Sequence, residues 1–170
     1  MQSESARMTT AEEARFRIDY PNSRPRAVKV IALDAPSERV VKRVAQGQWQ
    51  RAAFFCSLKF DAAPKRGEDF SMHAWLSDLA GRTKDLIDEV ASADLVVMVS
   101  SAGTNAEAAS VIAEACAVRK VMTTALIIDA DTKSDEELSR TLASLRPYAS
   151  MLVIASHDEY IEEMLAALRA

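Results

Sequence analysis

The chain has 170 residues, with 49% hydrophobic and 27% charged residues and a formal net charge of −4. These proportions exclude wholesale disorder and fit one folded domain large enough to bury a core without a disulfide or metal. No apolar run approaches the roughly 18 residues of a membrane span, and the N-terminus lacks the apolar core of a secretory signal, so a cytoplasmic protein with no membrane partner is expected.

Residues 1–26 are polar and arginine-rich, with Pro21 and Pro25 near the end. They read as an extension, with a short helix at Thr10–Phe16, preceding a single domain over 27–170. Residues 27–33 (AVKVIAL) are the first strand, and Ser37–Gln46 is a helix with Val40, Val41 and Val44 on one face and Gly47 as its stop. Ala52–Leu58 is a second strand. Residues 59–70, with Pro64 and Gly67 among charges, are a loop. Ser71–Leu76 is expected as a short third strand and Leu79–Ala91 as a helix.

The second half is cleaner. Asp94–Ser100 (DLVVMVS) is a continuous apolar strand of the kind found in the centre of a parallel sheet. Asn105–Val118 is a helix, Val121–Ile128 a strand, Asp135–Leu145 a helix with Leu138, Leu142 and Leu145 at helical spacing, and Met151–Ala155 the last strand. A final helix carries Ile161, Met164, Leu165 and Leu168. Strands alternating with helices predict an α/β, doubly wound, mostly parallel Rossmann-like sheet of about six strands.

Ligands in such sheets bind beyond the strand C-termini, where the strand order reverses. Two loops qualify: Asp34-Ala35-Pro36-Ser37 after the first strand, and Ser100 to Asn105 after the DLVVMVS strand. The candidate ligand-binding residues are Asp34, Ser37, Ser100, Ser101, Gly103, Thr104 and Asn105. A helix start after each loop favours an anion, although Asp34 and Glu107 would repel a phosphate. A second reading stands beside this one. Thr104-Asn105-Ala106-Glu107 fits the S/T-x-x-E capping box, as do Ser134 to Glu137 and Ser156 to Glu159, so Thr104 could simply start its helix.

Catalytic signals are thin. His73 and His157 are the only histidines, and neither stands in a recognisable constellation. No Cys/His set has zinc spacing, and Ser100-Ser101 is not a nucleophile elbow. The acidic run Asp129–Glu137 lacks the EF-hand pattern. Cys56 and Cys116 read as reduced core residues. Residues 1–70 carry 13 Lys/Arg against 9 Asp/Glu, and residues 71–170 carry 8 against 16. The basic residues are not interleaved with aromatics, so nucleic acid is not an expected partner. No catalytic residue, metal or cofactor is assigned.

Several segments resemble the nucleotide-binding domain of the FtsZ/tubulin-type GTPases. VKVIALDAPSERVVKRV stands where that family has a strand, a glycine-rich turn and its first helix. AGTNAEAASVI, within DLVVMVSSAGTNAEAASVIAEACA, is similar to the family's GGTGTGAAPVI. LASLRPYASMLVIASHDEYIEEML resembles the following helix, strand and start of the central helix. The resemblance spans most of residues 28–165. It implies a bacterial, tubulin-like Rossmann domain with strand order 3-2-1-4-5-6 and the first strand beside DLVVMVS.

The departures imply a degenerate, single-domain relative. Asp34 to Glu38 contains no glycine where the family has several, and side chains there block backbone approach to phosphate. Asn105 and Glu107 replace later glycines of the signature loop. The resemblance stops short of the family's acidic hydrolysis loop and second domain. GTP hydrolysis is therefore not expected. The expected function is non-catalytic, through protein–protein contacts or homo-oligomerisation. The alternative is a binding module for a small anionic ligand or a nucleotide other than GTP, and a third reading is an enzyme using Asp34, Ser101 or Thr104.

Overall fold

The computed structural model describes residues 25–57, 75–155 and 159–170. The expected N-terminal helix at Thr10–Phe16, the loop at 59–70, His73, His157 and most of the Ser156–Glu159 capping box lie outside the described residues. The elements in chain order are β1 (Val28–Ala32), α1 (Ala35–Val44), β2 (Ala52–Ser57), β3 (Trp75–Asp78), β4 (Thr83–Asp85), α2 (Leu86–Ala91), β5 (Leu95–Ser101), α3 (Ala108–Arg119), β6 (Met122–Ile128), α4 (Asp135–Leu145), β7 (Met151–Ile154) and α5 (Glu159–Ala167).

The strands form one α/β sheet in the order β4-β3-β2-β1-β5-β6-β7. β1 pairs in parallel with β2 on one side and β5 on the other, so the Val28 strand does lie beside the DLVVMVS strand. β6 and β7 continue the parallel ladder. β3 runs antiparallel to both β2 and β4. The sheet thus has seven strands rather than about six, and its order gains an edge strand that the six-strand expectation lacks.

That extra strand corrects the helix expected over Leu79–Ala91. The Asp78 carboxylate accepts hydrogen bonds from the Ala80 and Arg82 N–H groups at 3.0 and 2.8 Å, and its other oxygen takes the Arg82 guanidinium at 2.7 Å. Gly81 turns the chain at φ +77°. These contacts close a β3–β4 hairpin where apolar spacing alone suggested a helical turn. Asp85 then caps the shorter α2, accepting from Ile87 N–H at 2.8 Å and Asp88 N–H at 3.1 Å.

Side chains alternate across the sheet and split the core in two. Ile31, Phe55, Val96, Met98, Ala125 and Ile127 face α2, α3 and α4. Val28, Val30, Phe54, Val97, Val99 and Leu126 face α1 and α5. Every residue of β5 is buried, as a central strand covered on both faces requires. Helices on both faces make this a doubly wound sheet, and they leave the strand C-termini as the edge where loops can meet.

A charged pair borders one of the core layers. Lys29 in β1 points its ammonium at Glu89 in α2, 2.7 Å away, and lies 5.7 Å from the Phe55 ring centre. The side chains are only 13% and 22% exposed. Breaking a fully buried pair costs roughly 3–5 kcal/mol, because the surviving charge is stranded. With this partial exposure, Glu89→Ala is expected to cost about 2 kcal/mol in chemical denaturation. The double variant Lys29→Met/Glu89→Leu is expected to cost less than Glu89→Ala alone.

Candidate functional site

β1 ends at Ala32, and the chain reaches Asp34 in an extended conformation before α1 begins at Ala35. Asp34 is the N-cap of α1. Its Oδ1 accepts the Ser37 N–H at 2.8 Å, while Ser37 Oγ accepts the Asp34 N–H at 3.2 Å. This is a reciprocal capping box with serine in the third position. Pro36, in the first turn, has no N–H to leave unsatisfied. The helix therefore starts two residues before the predicted Ser37.

The same carboxylate reaches across to the end of β5. Oδ1 also accepts the Ser101 hydroxyl at 2.9 Å. Oδ2 accepts the Ser101 N–H at 2.8 Å, with the Ser100 hydroxyl at 3.1 Å and the Thr104 hydroxyl at 2.9 Å. Ser100 and Thr104 oxygens are 3.1 Å apart, and Thr104 Oγ1 is 2.7 Å from the Ser101 carbonyl. Ser37, Ser100 and Ser101 are buried, and Asp34 is half-buried. Four of the sequence candidates (Ser37, Ser100, Ser101 and Thr104) thus converge on a fifth, Asp34.

Gly103 and Asn105 do not touch Asp34 through any of these bonds. Gly103 adopts φ +84° and gives its N–H to Thr141 Oγ1 in α4 at 2.9 Å. Asn105 is exposed and donates to Glu107 Oε1 at 2.7 Å. Thr141 is 1% exposed and was not singled out from the sequence, although it lies on the apolar stripe of its helix between Leu138 and Leu145. A hydroxyl on such a stripe is a signal that a backbone group nearby needs a partner.

The expectation that Thr104 caps the following helix is corrected. That helix starts at Ala108, its N-cap is Glu107, and no side chain caps it. Thr104 spends its hydroxyl on Asp34 and the Ser101 carbonyl instead. The Ser134–Glu137 box forms as expected, with Glu137 N–H on Ser134 Oγ and the Ser134 N–H on Glu137 Oε2.

Burial pushes the Asp34 carboxyl upward. The bonds from the Ser37 and Ser101 N–H groups and from the Ser101 and Thr104 hydroxyls outweigh it, so the group is held below its ordinary value of 3.8. It is a carboxylate at neutral pH and a weak base. Burial raises both thiols, Cys56 and Cys116, to about 11, which leaves them as unreactive thiols at neutral pH. Among the described residues no group of three or more His, Cys, Asp or Glu could hold a metal ion. No helix among them is long and apolar enough to cross a membrane.

No protein-family model matches the chain, and a search of curated proteins finds no relative.

The geometry makes Asp34→Asn informative. Each carboxylate oxygen accepts one backbone N–H, from Ser37 and from Ser101. An amide has one oxygen, so either orientation turns its NH₂ toward a fixed N–H donor. Orphaning a buried donor costs about 1–3 kcal/mol, and a loss in that range is expected in urea denaturation. The acid dependence has a defined sign. A carboxyl lowered by folding contributes stability above its unfolded value, and loses it as pH falls through the folded value. The stability gap between wild type and Asp34→Asn is therefore expected to be full above pH 3.8 and to shrink below it.

Gly103→Val combines a backbone conformation that β-branched residues avoid with a Cβ 3.2 Å from Glu137 Oε1. It is expected to cost about 2 kcal/mol, within the range for a residue held in a disfavoured region. Asn105→Ala, at an exposed position, is expected to change stability by less than about 0.5 kcal/mol.

Proposed function

We propose that this chain is a non-catalytic Rossmann-like domain whose strand-end groove is closed by its own side chains, and that it acts through protein contacts or self-association. The observation that carries this reading is the Asp34 carboxylate. It lies between the C-terminal ends of β1 and β5, where a ligand of an open α/β sheet would be bound. Five donors from the chain itself converge on its two oxygens. A ribose hydroxyl seeking Asp34 has to displace one of them. A phosphate there meets a carboxylate that folding keeps ionised.

The same residues support descent from an FtsZ/tubulin-type nucleotide-binding domain that has lost its phosphate cradle. The AGTNAEAASVI segment follows β5, as the signature loop does in that family. The first turn carries Asp34, Pro36 and Ser37 in place of glycines, and the Asp34 side chain, held by Ser37, now joins the two loops. Loss of the cradle glycines and gain of the clasp are one exchange: the space that backbone left for phosphate is filled by hydroxyls and a carboxylate.

Calorimetric titration of the protein with Mg-GTP is expected to give no binding heat. A micromolar dissociation constant, about −8 kcal/mol, would overturn the reading of a closed groove. A thermal-shift panel of other nucleotides and small anions tests the ligand-binding alternative. A stabilisation of about 2.7 kcal/mol at a hundredfold excess over Kd, abolished by Thr104→Ala, would favour it.

A further inference from the structure

The Asp34 carboxylate is held as a bound anion is held. Its oxygens take five hydrogen bonds of 2.8 to 3.1 Å, two on Oδ1 and three on Oδ2. The donors come from ordered elements. The Ser37 N–H lies in the first turn of α1, and the Ser100 and Ser101 groups end the central strand. The Thr104 hydroxyl also reaches the Ser101 carbonyl. Ser37, Ser100 and Ser101 are at most 2% exposed.

Without the carboxylate these donors would still face one place. Ser100 and Thr104 can pair with each other. The Ser101 hydroxyl makes no other hydrogen bond among the described residues. The Ser37 and Ser101 N–H groups belong to the backbone and cannot turn away. Buried donors left without an acceptor cost stability, so a set of this kind favours any acceptor that fits among them.

We propose that these five donors form an anion site for a small carboxylate, and that Asp34 is its resident occupant, a tethered competitor that keeps free anions out. Asp34 in that role presupposes the closed groove proposed above and states what closes it. The ligand class follows from the donors. They converge on two oxygens, which matches a monocarboxylate. A phosphate would bring further oxygens for which the described residues supply no donor of this set. In the wild type the tether wins, because a group already on the chain gives up little freedom on binding, whereas a free anion gives up translation and rotation.

The size of the ligand follows from the tether. The carboxyl carbon of Asp34 is one bond from Cβ and two from Cα. A free anion keeps van der Waals distance from the chain, roughly 3.5 Å between carbons, so it needs the Cβ removed. Asp34→Gly makes that room. Formate carries only a hydrogen where Asp34 carries its Cβ, whereas acetate places a methyl where the chain already runs. Asp34 is half-buried, so the anion enters from solvent. Its backbone is extended, at φ −144° and ψ 168°, which glycine adopts freely, and glycine is an accepted N-cap.

The test is urea denaturation of the wild type, Asp34→Gly and Asp34→Ala at neutral pH in equal concentrations of sodium formate, acetate or chloride. A ligand of three heavy atoms reaches a dissociation constant of roughly 1 mM at best. About 100 mM is then a hundredfold excess. The urea midpoint of Asp34→Gly is expected to rise in formate relative to chloride, and to rise less in acetate. Asp34→Ala, which keeps its Cβ, is expected to respond less to formate, and the wild type not at all. Amide hydrogen exchange reads the site directly. The Ser37 and Ser101 amides should exchange faster in Asp34→Gly than in the wild type in chloride, and slow again in formate.

If Asp34→Gly is unfolded in chloride, folding in formate supports the site and failure to fold in formate overturns it. A midpoint and an exchange pattern that are the same in all three salts overturn it as well, as does a formate gain shared equally by the wild type. Each of these results leaves the closed groove standing. Binding of Mg-GTP by the wild type overturns the closed groove, and it is measured on a different protein and a different ligand.

Discussion

Asp34 stands where β1 ends and sets its two oxygens against backbone N–H groups from separate segments, Ser37 in α1 and Ser101 at the end of β5. The loops that follow β1 and β5 are joined by that bridge. It starts α1, and it ties the first crossover to the last residue of the central strand. Thr104 joins the same carboxylate, and the neighbouring Gly103 hands its N–H to Thr141 on α4. One ionised group thus links the start of α1 to the end of β5 and the loop that follows it. Its ionisation is compatible with burial only because the donors are many and two of them are fixed backbone groups.

The frame beneath the site was legible because its signal was repeated. Val28 to Leu33 and Leu95 to Ser100 are runs of apolar residues too short for helices, and the alternation they carry reappears as the two core layers. The end of the Asp78 turn was not legible by the same logic. Leu79, Leu86, Ile87 and Val90 suit a helical stripe, yet local hydrogen bonds from Ala80 and Arg82 to Asp78 decide the conformation. Apolar periodicity is blind to a side chain that mimics a backbone turn. Gly81 and Asp85 were the marks of the true boundary.

The site itself was half legible. Position along the fold selected Asp34, Ser37, Ser100, Ser101 and Thr104, and the structure brings these five together. What the sequence could not reveal was the direction of their bonds. A threonine three residues before a glutamate suits a cap, and a threonine beside a buried carboxylate suits a clasp. The choice depends on Asp34, 70 residues away in the chain. Thr141 was missed for the related reason that its partner, the Gly103 N–H, is a backbone group with no side-chain signature.

The hydroxyls around Asp34 hold a further property in their protons. Ser100 Oγ has one hydrogen and two acceptors within reach, Asp34 Oδ2 and Thr104 Oγ1. Thr104 Oγ1 has one hydrogen and can direct it to Asp34 Oδ2, to the Ser101 carbonyl or to Ser100 Oγ. Several proton arrangements therefore satisfy the same heavy-atom positions, much as water orientations multiply in ice. The arrangements give Asp34 from one to three hydroxyl donors, while the Ser37 and Ser101 N–H groups stay constant. The heavy-atom positions thus leave the hydroxyl hydrogens more than one satisfied arrangement, and a choice among arrangements carries entropy that singly matched bonds lack.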